Sequence, residues 1–172
     1  MSNSGDYIFR NVPSDIYEGV LMANFSFDSL KFKKIAILFS NTEYGIGVKN
    51  SFTNQFSKLG GLIIQESFSD GTNDFRTQLT KIKLQNPDAI YFIGYMELGN
   101  MIKQAHDLGI KSQYLTTAIF EDESILNFTA GAAENLIFTS ITFDVTNPNE
   151  RAKNLLMIIK QNLTNYLMGM QQ

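Results

Sequence analysis

The sequence predicts an α/β fold: a three-layer α/β/α sandwich around a mostly parallel sheet of about five strands, in the order 2-1-3-4-5. Short apolar runs without a polar face alternate with segments whose apolar residues recur every three or four positions. The alternation repeats about every 25–30 residues, which is typical of βαβ units. Because the short runs are apolar on both faces, we expect helices on either side of the sheet.

The first β-loop-α unit lies between Lys33 and Gly61. Its apolar run, Ile35 to Phe39, is too short for a helix and indicates a buried strand. A polar loop, 40–47, follows it, and the apolar residues after the loop mark one face of a helix over about 45–59. Since open α/β sheets bind ligands at the carboxyl ends of their strands, we expect this loop to border a site.

The same two patterns predict the remaining elements. Further strands are expected at 62–67, 89–93, 113–117 and 136–141, and further helices at about 15–30, 75–85, 98–108, 122–128 and 149–168. Asp15 is expected to cap the first helix, with Glu18 at the capping-box position, and Asp74 to cap the helix that follows it. No linker divides the 172 residues, which predicts one domain.

Composition excludes several classes of function. The formal charge of −3 argues against a nucleic-acid or anionic-membrane partner. There is no cysteine and a single histidine, His106, so the residues indicate no zinc site, no common nucleophilic triad and no cofactor. No apolar run has membrane-spanning length, and the polar start is not expected to act as a signal peptide.

Two loops at strand ends each present a tyrosine. The glycines of 41–47, NTEYGIG, suit a phosphate cradle, but a third glycine and a Gly-Lys-Ser/Thr are missing. The alternatives for this loop are a tight turn between strand and helix, or a site in which the ring of Tyr44 forms an aromatic wall. In 94–97, Tyr95 offers a ring and a hydroxyl to a ligand or only packs the loop, and Glu97 suits a helix start.

Three acids in succession, Glu121 to Glu123, form the last candidate constellation. Paired carboxylates can hold a cation or transfer protons. Acids before a helix are also common caps, and three in a row do not share a face. Both interpretations remain open for this stretch.

The order of short motifs along the chain carries a resemblance to a known family. The motifs are Phe9-Arg10, Pro13–Asp15, Lys34–Leu38, Tyr44–Gly47, Gly60-Gly61, Asp74-Phe75, Asn86–Tyr91, Lys103–Ala105, Leu108–Lys111 and Gly131–Glu134. Together, from about residue 8 to 150, they resemble the periplasmic binding proteins of fold type I, in particular the branched-chain amino-acid group that serves ABC transporters. A flavodoxin-like or response-regulator-like signalling domain is the alternative, although Ser40-Asn41 stand where such domains need a phosphate loop or an aspartate.

The resemblance implies a receptor without enzymatic activity that holds a small molecule, such as an amino acid, between two lobes. It places Tyr44 and Tyr95 on the ligand, and an acid after the fourth strand on the ligand's ammonium. Ala118 stands at that position, with Glu121 three residues on. Either Glu121 reaches the ligand, or the ligand is another small polar or aromatic molecule.

The resemblance also implies that residues 1–172 form only the second lobe, with the first lobe absent. The expected partners are the ligand, the missing lobe and the membrane permease of an ABC transporter, at a periplasmic or extracellular surface. An isolated lobe would leave apolar surface uncovered, which predicts a tendency to self-associate.

Overall fold

The computed structural model describes residues 14–129 and 131–140. Within them lie five strands: β1 Lys34–Ser40, β2 Leu62–Phe68, β3 Ala89–Ile93, β4 Gln113–Thr116 and β5 Ile137–Phe138. The sheet order is β2-β1-β3-β4-β5 and every neighbouring pair is parallel. The predicted α/β class and strand order are confirmed.

Helices cover both faces of this sheet. They are α1 Asp15–Asn24, α2 Glu43–Lys58, α3 Arg76–Leu84, α4 Leu98–Asp107 and α5 Glu123–Phe128. A π-helical segment, Phe25–Ser29, continues α1, and a 3₁₀ turn, Ala118–Glu121, precedes α5. Apolar residues of α1 and α2 pack on one face, and those of α3, α4 and α5 pack on the other. The predicted three layers are therefore present.

Alternate side chains of β3 supply the two cores. On the α1–α2 side, the ring of Tyr91 lies 5.0 Å from that of Phe52. On the other side, the ring of Phe92 meets Tyr114 edge-on, with 5.5 Å between centroids. Every residue of β3 is buried, which explains why this strand carries no polar position.

Two glycines let helices pack closely on their neighbours, α2 on the end of β1 and α1 on α2. A Cβ at Gly45 would lie 2.2 Å from the carbonyl oxygen of Ser40, so α2 starts directly on the end of β1. A Cβ at Gly19 would lie 2.7 Å from the carbonyl oxygen of Val48, so α1 lies tightly on α2. A Cβ at Gly47 would meet nothing within 4 Å.

Two capping predictions are wrong. Helix α1 begins at Asp15 itself, and Ser14 is the N-cap, with extended backbone (φ −79°, ψ 138°). Glu18 bonds instead to groups outside its helix, because α1 packs beside the strand ends. Helix α3 has Phe75 at its N-cap, although the carboxylate of Asp74 still accepts a hydrogen bond from the Arg76 amide at 3.1 Å.

Some predicted segments lie outside the described residues. These are the helix expected at 149–168 and the last position of the strand expected to reach 141. Across the ranges that the structure describes, no helix is both long enough and apolar enough to cross a bilayer.

Candidate functional site

Three neighbouring strands end at one edge of the sheet, which we call the carboxyl edge. It comprises the segments 40–44, 94–97 and 117–121, which follow β1, β3 and β4. These strands are adjacent in the sheet, so segments far apart in sequence become neighbours. This is the edge at which parallel α/β sheets bind ligands.

Tyr44 and Tyr95 form an aromatic pair on the carboxyl edge. Their ring centroids are 5.0 Å apart and their planes are inclined by 32°. Thr42 fixes the first turn of α2, since its hydroxyl accepts a hydrogen bond from the Gly45 amide at 3.1 Å. Tyr95 is 42% exposed. The pair thus offers a partly open aromatic surface with hydroxyl groups, against which a small ligand can pack.

A carboxylate that was predicted to cap a helix lies beside this pair. Oε2 of Glu18 accepts a hydrogen bond from the Tyr44 hydroxyl at 3.3 Å. Its Oε1 accepts from the Ala118 amide at 2.7 Å and from the Thr139 hydroxyl at 2.5 Å. Glu18 therefore joins α1 to the segments that follow β4 and β5.

The four predicted site residues differ in their surroundings. Tyr44 and Tyr95 meet directly, and Ala118 reaches Tyr44 through the carboxylate of Glu18. Glu121 is exposed, and its carboxylate accepts a hydrogen bond from the Ser140 hydroxyl. The carboxylate that lies beside Ala118 is thus that of Glu18, on α1. The sequence pattern did not indicate this contact, because Glu18 and Ala118 are 100 positions apart.

Two buried hydroxyl groups add polarity near the carboxyl edge. The side-chain oxygens of Tyr91 and Thr117 are buried and have no hydrogen-bond partner in the described part of the chain. Burial raises the pKa of Tyr91 well above its ordinary value, and the charges of Glu18 and Tyr44 add to this. The hydroxyl of Tyr91 therefore interacts electrostatically with Glu18, the carboxylate that accepts a hydrogen bond from Tyr44.

The remaining acids have local roles. Asp122 caps α5, because its carboxylate accepts a hydrogen bond from the Ser124 amide at 2.8 Å, as the capping interpretation predicted. Bonding from the Ser124 hydroxyl and amide lowers the pKa of Asp122. Glu97 accepts a hydrogen bond from the Tyr95 amide at 3.1 Å and so steadies that loop.

His106, the sole histidine, is exposed in the last turn of α4, with its Nδ1 3.7 Å from Oδ1 of Asp107. Among the described residues, no three His, Asp or Glu side chains cluster as a metal site requires.

The strand order is that of an open parallel α/β sheet, and the aromatic pair lies at the edge where such sheets bind ligands. Residues 2–157 match the model of the family described as "Periplasmic binding protein", and the chain belongs to that family. The resemblance drawn from the motifs is thereby confirmed, and the signalling-domain alternative is set aside.

Curated relatives agree with this family. The chain is 27% identical over 135 residues to a leucine-specific-binding protein of Salmonella typhimurium. The aligned region covers 77% of this chain and 37% of that relative. It is 28% identical over 134 residues to a Leu/Ile/Val-binding protein of Citrobacter freundii, with 77% and 36% covered.

Solved structures agree as well. A leucine-binding protein from Thermotoga maritima superposes with a TM-score of 0.73 at 30% identity, over 86% of this chain and 43% of that one. A branched-chain amino acid transporter substrate-binding protein from Streptococcus pneumoniae, in complex with isoleucine, gives 0.71 at 30%, over 77% and 38%. The chain thus spans less than half the length of the relatives it matches.

Proposed function

We propose that this chain is one lobe of a two-lobe solute-binding receptor of an ABC transporter. Its carboxyl edge would form one wall of a cleft that holds a small polar molecule such as an amino acid. The Tyr44–Tyr95 pair carries the proposal, because two adjacent strands present these rings together where an α/β sheet binds ligands. Relatives named as leucine- or Leu/Ile/Val-binding proteins support it.

The proposal assigns the four candidate residues Tyr44, Tyr95, Ala118 and Glu121 to this wall. Residues 1–172 would form a single lobe, and a first lobe would supply the opposite wall. The membrane permease of the transporter would be the further partner, at a periplasmic or extracellular surface. The chain would bind and release its solute without a reaction of its own.

A single wall predicts weak binding. Ligand clefts bury most of a small molecule's surface, whereas one wall leaves about half of it in water. We therefore expect the isolated chain to bind leucine or isoleucine with a dissociation constant of about 1 mM or weaker. Amide NMR shifts can measure binding in this range.

The test is a titration of the isotope-labelled chain with leucine and with isoleucine, followed by two-dimensional amide NMR. We expect saturable shifts at the amides of Tyr44, Tyr95 and Ala118. Truncating an aromatic anchor costs more than about 1.4 kcal/mol, so Tyr44→Ala and Tyr95→Ala should each weaken binding about tenfold or more.

A matched control is available in Phe25, which is 42% exposed, as Tyr95 is, but lies beyond the end of α1. Phe25→Ala should leave the titration unchanged. Shifts that do not saturate, or that survive both tyrosine variants, would overturn the assignment of the carboxyl edge as the binding wall.

A further inference from the structure

Glu18 has spare acceptor capacity on one side of its carboxylate. Oε1 accepts two hydrogen bonds, from the Ala118 amide at 2.7 Å and the Thr139 hydroxyl at 2.5 Å. Within the ranges that the structure describes, Oε2 accepts one long hydrogen bond, from the Tyr44 hydroxyl at 3.3 Å. Since each carboxylate oxygen has two lone pairs, Oε2 can accept another donor beside the aromatic pair.

Among the described residues, the charge of Glu18 has no cationic partner. In the described ranges, the ion pairs join Arg76 to Asp74, Lys81 to Glu66 and His106 to Asp107, and none includes Glu18. Glu18 is nevertheless partly buried. A partly buried carboxylate without a counter-charge interacts more strongly with an incoming cation than an exposed one does.

A second observation points to a polar occupant at the same place. The hydroxyls of Tyr91 and Thr117 are buried without a hydrogen-bond partner among the described residues. Thr117 directly precedes the residue whose amide bonds Glu18, and the hydroxyl of Tyr91 interacts electrostatically with Glu18 and Tyr44. Buried polar groups without partners are rare in folded proteins, and a ligand site is one explanation for them.

We propose that Glu18, on α1, binds the ammonium group of the solute, so that the ligands of this lobe are small molecules with a cationic amine, such as α-amino acids. The inference rests on the proposed function and deepens it. It accounts for Ala118, which stands where the resemblance expects an acid: its backbone amide holds the carboxylate of Glu18 at that position instead. The hydroxyl of Tyr44 would donate to the same carboxylate and align it.

The first test compares leucine with isocaproate, which has the same carbon chain and carboxylate but no amine. The labelled chain is titrated with each, and the amide shifts at the carboxyl edge are fitted. Isocaproate has no amine and cannot make the charged hydrogen bond to Glu18. Because hydrogen bonds to charged groups are the stronger kind, leucine should bind at least about tenfold more tightly than isocaproate. Equal binding of the two would overturn the inference without any variant.

The second test uses Glu18→Gln. The glutamine carbonyl can keep the hydrogen bonds from Ala118 and Thr139, while its NH₂ group replaces Oε2. We expect an unchanged thermal midpoint, leucine binding weakened about tenfold or more, and loss of the preference over isocaproate. If the variant keeps that preference, Glu18 does not bind the amine.

Glu123→Gln is the matched control. Glu123 is exposed in the first turn of α5, outside the carboxyl edge, so this change removes the same charge from a residue that does not line the proposed cleft. It should leave binding and preference unaltered. Loss of the preference in Glu121→Gln rather than in Glu18→Gln would assign the amine to Glu121. If no solute shifts any amide, the proposed function fails, and the inference with it.

Discussion

The two edges of the sheet each carry a carboxylate that ties distant segments together, and the two differ in their donors. At the amino edge, where β1 and β3 begin, Oδ2 of Asp88 accepts hydrogen bonds from the backbone amides of Lys33 and Lys34, at 2.7 and 2.8 Å. At the carboxyl edge, Glu18 accepts from one backbone amide and from the hydroxyls of Tyr44 and Thr139.

The difference separates a structural carboxylate from one suited to ligands. Backbone amides are held in place by the strands, so the bonds of Asp88 persist as long as the sheet does. Hydroxyl groups rotate, and they can both donate and accept. A solute can therefore replace or share the bonds of Glu18 without breaking the sheet, and we expect changes at the amino edge to affect stability alone.

The largest loss of folding stability is expected from Gly45→Ala at the carboxyl edge. A Cβ there would meet the backbone oxygen of Ser40 at 2.2 Å, so the start of α2 must move and displace Tyr44. Overpacking of this kind destabilises by about 1–3 kcal/mol, and backbone contact places the change at the upper end. Urea denaturation measures it.

Gly47→Ala provides the matched control, since a Cβ there meets nothing within 4 Å and the residue lies inside α2. Alanine in a helix is favoured over glycine by about 0.5–1 kcal/mol, so this variant should be more stable than the wild type. Similar losses in both variants would show that the close approach at Gly45 is not what decides the effect.

Asp88→Ala should have the next largest effect, a loss of about 1–2 kcal/mol. It removes a charged acceptor from the Lys33 and Lys34 amides, which then rely on water because Asp88 is exposed. Asp88→Asn keeps an acceptor and should recover part of the loss in the same denaturation experiment. Solute-induced amide shifts at Tyr95 should be unchanged, and weaker binding in Asp88→Ala would contradict the division between the edges.

Two buried tyrosines should respond differently to the removal of their hydroxyl groups. The Tyr114 hydroxyl donates to the carbonyl oxygen of Ile110 at 2.9 Å near the amino edge, whereas the Tyr91 hydroxyl has no partner among the described residues. Tyr114→Phe should cost about 1 kcal/mol, and Tyr91→Phe should be neutral or stabilising because it removes an unsatisfied buried group. A loss in Tyr91→Phe as large as that in Tyr114→Phe would count against this contrast.

The last effect is a dependence on alkaline pH, which leaves stability at neutral pH unchanged. Burial raises the pKa of Tyr114 to about 12. An unfolded tyrosine ionises near pH 10, so the folded state binds the proton more tightly, and its stability is full below about pH 10 and falls towards about pH 12. Denaturation at rising pH should show a shallower fall in Tyr114→Phe than in the wild type. Equal slopes would contradict the pKa shift.

Local sequence patterns predicted the strands and helices, because the spacing of apolar residues that defines each element lies within a short stretch of the chain. The apolar run of Ile35 to Phe39 indicates a strand buried on both faces, and the spacing of Val48, Phe52 and Phe56 indicates one helix face. The structure has both elements at those positions. Tyr44 and Tyr95 were predictable as a pair for a related reason, since each follows a strand and those strands are neighbours in the expected order.

The role of Glu18 had no such signal. Three residues after Asp15, it fits a capping box, and the local pattern favours that assignment. Its carboxylate bonds Ala118 and Thr139 instead, 100 and 121 positions away, because Gly19 lets α1 lie tightly on α2. No spacing rule relates residues so far apart.

The sequence by itself determined the α/β class, the strand order and the two tyrosines at the carboxyl edge. These depend on periodicity, on turn chemistry and on the rule that parallel strands end together. Only the tertiary structure decided which carboxylate stands beside Ala118 and which hydroxyls remain without partners. Those outcomes depend on how closely α1 packs against the strand ends, which is a property of side-chain contacts between segments distant in the chain.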